Sequence, residues 1–382
     1  MTTNGHSKPP VLVVLQLTGG NDYFNTVIPY TDGNYYDSRP SLQIPQDRVL
    51  KLNDELGLHP AMGPLKDKFE QGDVAIIHGV GYANSPRSHF RSMDIWHTCE
   101  PDTVGTEGWL ARAIRDIDPE SENPITAVNI GQGLPRALVA RGVSVASVAD
   151  LSTYGLLTSI EQETQRTRML ERFANMYGPA VGTGPVMEYL GQTGLDALKG
   201  ADILKTAPEA YSSSVEYGAS PIARSLRDVA TIHTADLGTR IFYTQHGSFD
   251  THAAQATTHA QLWTDVSEAI TDFWDDLREQ DADENVVMFL FSEFGRRVRD
   301  NGSGTDHGAA GVCFAIGPKV KGGWYSEYPE TRAEALEQGD LVPNQDFRGV
   351  YSTILNDWMK LDAKPIVNGQ FEAPQFIKTN GA

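Results

Sequence analysis

The densest group of chemically reactive side chains in this sequence lies at residues 286–308, VVMFLFSEFGRRVRDNGSGTDHG. An apolar segment leads to Glu293, Arg296 follows it, and Asp306 and His307 close a polar, glycine-containing loop. A solvated loop whose arginines and acids pair with each other is the alternative interpretation. Because structural need alone seldom places these groups around one loop, the pattern favours a functional site.

A second cluster, HGSFDTH at residues 246–252, contains Asp250 two residues before His252. In an extended segment these two side chains point the same way, so they can reach one ion. A carboxylate with an imidazole suits Zn²⁺, Mn²⁺ or a similar divalent ion. Asp22, in the TGGND segment after the first apolar run, is a further candidate ligand, or alternatively part of an Asx turn.

The segment NSPRSHF at residues 84–90 opens a predicted helix. A helix N-terminus favours bound anions, and an adjacent arginine can hold a phosphate or sulfate group. Ser88, or Ser85 as second choice, is therefore a candidate nucleophile or anion ligand. Arg87 is a candidate anion-binding group, and His89 is a candidate general acid or base. The alternative is that one serine only caps the helix.

Alternating apolar segments and helical repeats would position these clusters. Strands are predicted at residues 11–17, 74–77, 125–130, 240–243, 286–291 and 312–316, and helices at 59–69, 262–277 and 346–358, the last capped by Asp346. This alternation predicts a doubly wound α/β fold with a parallel sheet. Residues 150–220 are interpreted as a helical insertion within one domain spanning residues 1–382.

The clusters follow or flank predicted strands, and ligands bind at the carboxyl edge of an open α/β sheet. Four side chains are therefore predicted to converge on one point: Asp250, His252, Glu293 and His307.

Composition excludes several classes of protein. The 31 Lys and Arg residues against 50 Asp and Glu give 31 − 50 = −19, which argues against non-specific nucleic-acid binding. No apolar run approaches the roughly 18 residues of a membrane span. Cys99 and Cys313 are too far apart in sequence to suggest a metal knuckle or redox pair. No oligomeric state is indicated.

The first ten residues contain neither a twin-arginine pair nor an apolar signal core, which predicts a cytoplasmic protein. A periplasmic or exported protein whose signal had been removed is the alternative, and the acidic charge suits it equally well.

Taken in order, the motifs GGND, HPAMGPL, SPRSHF, HGSFDTH, SEFGR and TDHG resemble those of an uncharacterised bacterial family in the alkaline phosphatase/sulfatase superfamily. The likeness covers roughly residues 11–361. It implies an alkaline-phosphatase-like three-layer sandwich, with a large, mostly parallel central sheet flanked by helices. It also implies a divalent metal ion, Zn, Mn, Mg or Ca, at the carboxyl edge of that sheet.

Two positions depart from the superfamily pattern. Thr18 stands where its enzymes commonly have Asp, and Phe294 completes a Glu-Phe pair where many have Asp-His. The C-x-P-x-R motif of the sulfatases is absent, and Cys99 lies in a different context. The resemblance therefore implies a reduced, single-metal site and gives no support for formylglycine chemistry.

These observations together predict a metal-assisted hydrolase or transferase that acts on a phosphate or sulfate ester. Ser88 or Ser85 would be the nucleophile, with Arg87 and Arg296 stabilising the equatorial oxygens. The predicted metal ligands, some of them acting through another ligand, are Asp22, Asp250, His252, Glu293, Asp306 and His307. One alternative is a catalytically silent protein that keeps the fold and binds a ligand or glycan; another is a structural partner in a larger assembly.

Overall fold

The computed structural model describes residues 8–151, 154, 164–165, 168–169, 171–172, 175 and 185–378. Its strands are β1 (Val11–Leu17), β2 (Val27–Pro29), β3 (Leu50–Lys51), β4 (Leu56–Leu58), β5 (Val74–Gly81), β6 (Ala127–Ile130), β7 (Ala146–Val148), β8 (Ile241–His246), β9 (Val286–Phe291), β10 (Gly311–Ile316), β11 (Gly323–Tyr325) and β12 (Gln345–Asp346).

The α-helices with described bounds are α1 (Tyr23–Thr26), α2 (Gly33–Ser38), α3 (Gly63–Glu70), α4 (His89–Thr98), α5 (Trp109–Ile117), α6 (Pro185–Leu204), α7 (Ala207–Ala210), α8 (Pro221–Thr234), α9 (Gln255–Glu279), α10 (Phe347–Thr353) and α11 (Ala363–Ile366). A 3₁₀ turn, Pro60–Met62, precedes α3, and a π-helical turn, Ile354–Met359, continues α10. The side chain of Asp346 caps α10 by accepting a hydrogen bond from the backbone N–H of Arg348, as the sequence predicts.

One large sheet organises the described residues. Its strand order is β11-β5-β10-β9-β1-β8-β6-β7, with β12 also paired to β5. β1 lies in the middle, parallel to both β8 and β9. A smaller antiparallel sheet has the order β2-β4-β3.

Both faces of the large sheet are covered, which gives three layers. All seven residues of β1 are buried, and alternate side chains point to opposite faces. Val13 and Leu15 join a core that includes residues of α3, α8 and α9. Leu12 and Val14 join a second core built with α4, α5 and α10. The predicted α/β class, with a large, mostly parallel sheet flanked by helices, is confirmed.

The strand β10 differs from the predicted parallel arrangement. It runs antiparallel to both of its neighbours, β5 and β9. The carboxyl ends of β1, β5, β8 and β9 therefore lie at one edge of the sheet, and β10 begins at that same edge. The loop between β9 and β10 thus starts and ends on the carboxyl edge, which matters for the site described below.

The predicted helical insertion at residues 150–220 falls partly outside the described residues. Most of residues 152–184 are not described, and the described remainder contains α6 and α7 and no strand. Within the described part of the chain, no helix combines the length and the apolar character needed to cross a bilayer.

Candidate metal centre

The turn after β1 allows the loops at the carboxyl edge to approach each other closely. Gly19 and Gly20 have φ values of +120° and +82°, where a side chain would strain the backbone. A Cβ at Gly19 would collide with the backbone of Asp250, and one at Gly20 would collide with the ring of Phe294. The two glycines therefore let the segments after β8 and β9 pack directly against the turn.

The loop between β9 and β10 folds back on itself. Arg296 and His307 form an antiparallel bridge, and the backbone N–H of Gly308 donates to the carbonyl of Gly295 at 2.9 Å. This pairing returns the end of the loop to the carboxyl edge. His307 thereby comes next to Asp250, which follows β8.

Three acceptor-type atoms form a tight triangle at this edge. The Nε2 atoms of His252 and His307 are 3.0 Å apart. Each of them is 3.1 Å from Oδ1 of Asp250. Where the imidazoles are neutral and carry their protons on Nδ1, none of these atoms brings a proton. The triangle then needs a shared cation, either a proton or a metal ion.

Each of the two imidazoles is oriented by a hydrogen bond at its other nitrogen. Nδ1 of His307 donates to the backbone carbonyl of Arg87 at 2.9 Å. Nδ1 of His252 lies 3.1 Å from Oδ1 of the exposed Asp306. An N–H at Nδ1 leaves a lone pair on Nε2, which is the form that binds metals.

His89, the first residue of α4, adds a third imidazole. Its Nδ1 lies 2.8 Å from Oε1 of the buried Glu293, which also accepts the backbone N–H of Gly19 at 2.9 Å. Its Nε2 is 3.4 Å from Oδ2 of Asp250 and, among the described residues, has no hydrogen-bond partner. Potential ligand atoms of His89, Asp250 and His307 all lie within 4.8 Å of one another.

The groups around His89 and Asp250 shift the pKa values of both side chains towards their charged forms. The hydrogen bond to Glu293 raises the pKa of His89 above its ordinary value, although partial burial opposes it. Burial acts to raise the pKa of Asp250, but the hydrogen bond and charge of Arg296, together with the neighbouring imidazoles, outweigh this and lower it to about 2. Asp250 is therefore a carboxylate at neutral pH, with imidazoles gathered around it.

Arg296 is held by several groups of the protein itself. Its side chain is buried and donates to the carbonyls of Gly19, Gly20, Phe249 and Thr305 and to Oδ1 of Asp250 at 2.6 Å. All three of its nitrogens are engaged in these bonds. Arg296 therefore joins the three loops and orients Asp250, and its side chain is buried among groups of the protein.

Asp22 is not part of the cluster. It is fully buried and forms a two-pronged ion pair with Arg39, with N–O distances of 2.5 and 2.8 Å, and it also accepts from Gln255. Burial raises its pKa, but the charge and hydrogen bonds of Arg39 outweigh this effect and lower it. Asp22 is therefore not proposed as a metal ligand below, because its carboxylate already neutralises a buried guanidinium.

Ser88 occupies the N-cap position of α4, but its side chain makes no capping hydrogen bond. The simplest alternative for this residue, a structural cap, therefore has no support here. Arg87, one residue earlier, has a positive φ of +54°, which is rare for a residue other than glycine. This conformation accompanies the contact of its carbonyl with His307.

His89 was not among the predicted metal ligands, although its Nε2 lies 3.4 Å from Oδ2 of Asp250. The available signal was its position, because it begins the helix that follows β5 and so starts at the same carboxyl edge. Phe294 also has a role that the pattern did not indicate. Its buried ring packs against both His89 and His307, with ring centroids 4.9 and 4.8 Å away.

Comparison with known proteins gives one family and several solved structures. A family model described as a protein of unknown function, DUF1501, matches residues 10–357. The chain is similar to the C-terminal periplasmic domain of EptC from Escherichia coli in complex with Zn, at 10% identity and a TM-score of 0.43, covering 98% of this chain and 89% of that one.

Two further solved structures are similar at comparable levels. The PsFucS1 sulfatase from Pseudoalteromonas sp. is 12% identical, with a TM-score of 0.39, and the match covers 98% of this chain and 71% of that one. A protein in the alkaline phosphatase superfamily from Vibrio parahaemolyticus is 8% identical, with a TM-score of 0.39 and coverage of 85% and 64%. No curated protein sequence matches the chain.

Proposed function

We propose that this chain, which belongs to the DUF1501 family of proteins of unknown function, is a metal-assisted hydrolase or transferase that acts on a phosphate or sulfate ester. The membership confirms the resemblance to an uncharacterised family that the motifs indicated. One observation carries the proposed activity. Three imidazoles, each held at Nδ1 by an acceptor, direct Nε2 towards one carboxylate at the carboxyl edge of the sheet.

The donor set fits a divalent ion. His89, His307 and Asp250 would hold it, with His252 as a fourth donor. Ligand atoms about 2.0–2.2 Å from Zn²⁺ in a tetrahedron are about 3.3–3.6 Å apart, so the 3.0–3.1 Å edges of the observed triangle need only a small expansion. A set rich in imidazole favours Zn²⁺, with Mn²⁺ second, over Mg²⁺ or Ca²⁺.

When bound, such an ion supplies Lewis acidity that polarises an oxygen of the ester group. Glu293 and Asp306 are then positioning residues, because they hold imidazoles rather than donate a ligand atom themselves. His89 was predicted as a general acid or base, but one of its nitrogens contacts Glu293 and the other faces Asp250. We therefore assign it to metal binding.

Ser88 remains the proposed nucleophile, with Ser85 as second choice. Its hydroxyl is at the start of α4, next to His89, where free backbone N–H groups favour an anionic group. Arg87 is the proposed partner of the equatorial oxygens, since its side chain is partly exposed. Arg296 is no longer proposed for that role, because its nitrogens are occupied by the protein.

The test begins with metal content. Protein purified without chelator should contain about one equivalent of Zn²⁺ or Mn²⁺, and His307→Ala should lose it. The matched control is His233→Ala, because His233 hydrogen-bonds to the carbonyl of Ala282, outside the site. The metal-loaded protein is then assayed with aryl phosphates, phosphodiesters and aryl sulfates. A metal-free wild type that gains no activity with any added divalent ion contradicts the proposal.

A ligand-binding protein without turnover is the second candidate. The engagement of Arg296 with the protein favours it, because of the two arginines predicted to hold the ester oxygens, Arg87 alone is left for that role. This candidate predicts full metal occupancy with no turnover of any ester, together with measurable binding of phosphate, sulfate or a glycan.

A further inference from the structure

A cleft of about 590 Å³ lies beside the metal centre. It is lined by residues 81–87, which comprise the last residue of β5 and the segment after it, by Ala309, and by residues of the 337–346 segment. Arg87 belongs to both places. Its carbonyl accepts from His307 of the metal centre, while its guanidinium lines the cleft. A ligand in the cleft would therefore extend directly from the metal centre.

The volume of the cleft indicates what part of a ligand it could hold. It falls within the range of about 300–1,000 Å³ that is typical of small-molecule sites. An isolated phosphate or sulfate group would leave most of this space unfilled. The cleft is thus suited to the alcohol part of an ester whose anionic part lies at the metal centre.

The buried carboxylate of Asp340 indicates which kind of polar group the cleft would bind. The residue is 1% exposed, and its Oδ2 accepts from Nε of Arg87 at 2.5 Å. Its Oδ1 has no hydrogen-bond partner among the described residues, and Nε of Arg297 is 3.9 Å away. Leaving a buried carboxylate oxygen unpaired is costly, so a ligand that donates a hydrogen bond would be favoured there.

The remaining lining is mixed rather than purely polar. Glu337 adds a second carboxylate, and Gln338 adds an amide that accepts from Arg87. Val342, which is 40% exposed, and Pro343 supply apolar surface. The carboxylates of Asp340 and Glu337 disfavour a ligand that places a second anionic group in the cleft. The unpaired Oδ1 of Asp340 disfavours a ligand whose alcohol part is purely hydrocarbon.

We propose that this cleft binds a polyhydroxylated alcohol, such as a sugar or polyol, as the non-anionic part of the ester. Asp340 would accept a hydrogen bond from one of its hydroxyls. This inference rests on the proposed function, because it places the ester group of the same substrate at the neighbouring metal centre.

The experiment compares two esters of similar size. Glucose 6-phosphate carries hydroxyls, and cyclohexylmethyl phosphate has the same ester group without them. For the metal-loaded wild type, we expect kcat/KM for the sugar ester to be about 10- to 100-fold higher, the contribution of one hydrogen bond to a charged group. Asp340→Asn should remove most of this preference, which is a ratio between the two esters and is therefore insensitive to an equal effect on both through Arg87. Glu337→Gln, at the exposed rim, is the matched control and should keep the preference.

Equilibrium binding of both esters, measured by calorimetry, distinguishes failure of the cleft inference from failure of the hydrolase proposal. Equal turnover and equal binding of the two esters would overturn this inference and leave the hydrolase proposal intact. Absence of turnover for both would overturn the hydrolase proposal, and a preference for glucose 6-phosphate that depends on Asp340 would then still support the cleft as a polyol site. Zinc affinity of Asp340→Asn should match wild type, since a loss would assign its effect to the metal centre through Arg87.

Discussion

Replacement of Glu293 by Gln should weaken Zn²⁺ binding without weakening the fold. Glu293 accepts the backbone N–H of Gly19 at 2.9 Å, and its Oε1 lies 2.8 Å from Nδ1 of His89. The amide oxygen of Gln can take both contacts. Its NH₂ group would face Ser292, whose hydroxyl already donates to the carbonyl of Leu17 and so can accept. The substitution therefore removes a charge and conserves the hydrogen bonds.

The magnitude follows from the hydrogen bond that changes. A bond to a charged group contributes about 1.5–3 kcal/mol and a neutral one about 0.5–1.5 kcal/mol. The difference of about 1–2 kcal/mol corresponds to a loss of roughly 5- to 30-fold in affinity. This agrees with the 10- to 100-fold typical of residues that orient a metal-bound histidine. The free energy of unfolding of the metal-free protein should change by less than about 1 kcal/mol, because the buried charge is removed together with its desolvation cost.

Competition with a zinc-binding dye measures the affinity, and urea unfolding of the metal-free protein measures the stability. Asp306→Asn provides a comparison within the site. Asp306 is 58% exposed, so the bond from its carboxylate to His252 is weakened by solvent and its loss should cost less affinity. Glu284→Gln is the matched control, because it removes the same charge from an exposed carboxylate outside the cluster.

An unchanged zinc affinity in Glu293→Gln would refute the reasoning, because it would mean that the carboxylate does not tune His89. Equal losses in Glu293→Gln and Glu284→Gln would also refute it, since the effect would then be one of net charge alone.

Three further predictions concern the nucleophile, the buried ion pair and acid stability. Ser88→Ala should reduce turnover by several orders of magnitude and retain zinc affinity. Its free energy of unfolding should stay within about 0.5 kcal/mol of wild type, because no capping bond is lost. A fully active variant would exclude Ser88 as the nucleophile. Asp22→Asn should lower the free energy of unfolding by about 3–5 kcal/mol, since it leaves Arg39 buried without a counter-charge. It should not alter zinc affinity, and a loss of zinc would restore Asp22 as a proposed ligand. The free energy of unfolding should fall as the pH drops from about 6.5 towards 4, by up to about 1.4 kcal/mol per pH unit for each buried imidazole. The reason is that burial keeps these imidazoles neutral in the folded state, while the unfolded chain takes up protons. Thermal unfolding midpoints that stay constant between pH 7 and 5 would contradict this. The imidazoles concerned have pKa values lowered by burial to about 3 or 4: His59, His78, His97 and His259.

The strands and their order of appearance could be predicted from the sequence because burial on both faces leaves a direct local signal. The predicted segments 11–17 and 286–291 coincide with β1 and β9, since a strand covered on both faces must be apolar throughout. The same reasoning placed reactive residues after strands. It therefore predicted that Asp250, His252, Glu293 and His307 converge. The first two and His307 have atoms within 3.1 Å of one another, whereas Glu293 reaches the cluster through His89.

The roles of individual charged residues depended on the tertiary structure, because local sequence does not reveal which partner a side chain meets. Asp22 forms an ion pair with Arg39, and Arg296 donates hydrogen bonds to loop carbonyls, although both residues closely follow apolar strands in the sequence. His89 reaches the cluster because α4 begins at the edge where β5 ends. His307 reaches it because β10 runs antiparallel, a direction that strand propensity does not encode, since hydrophobic pattern is the same for either direction of pairing. The sequence by itself thus determined which chemical groups gather at the carboxyl edge. Long-range packing and charge pairing decided which of them are free to bind a metal ion.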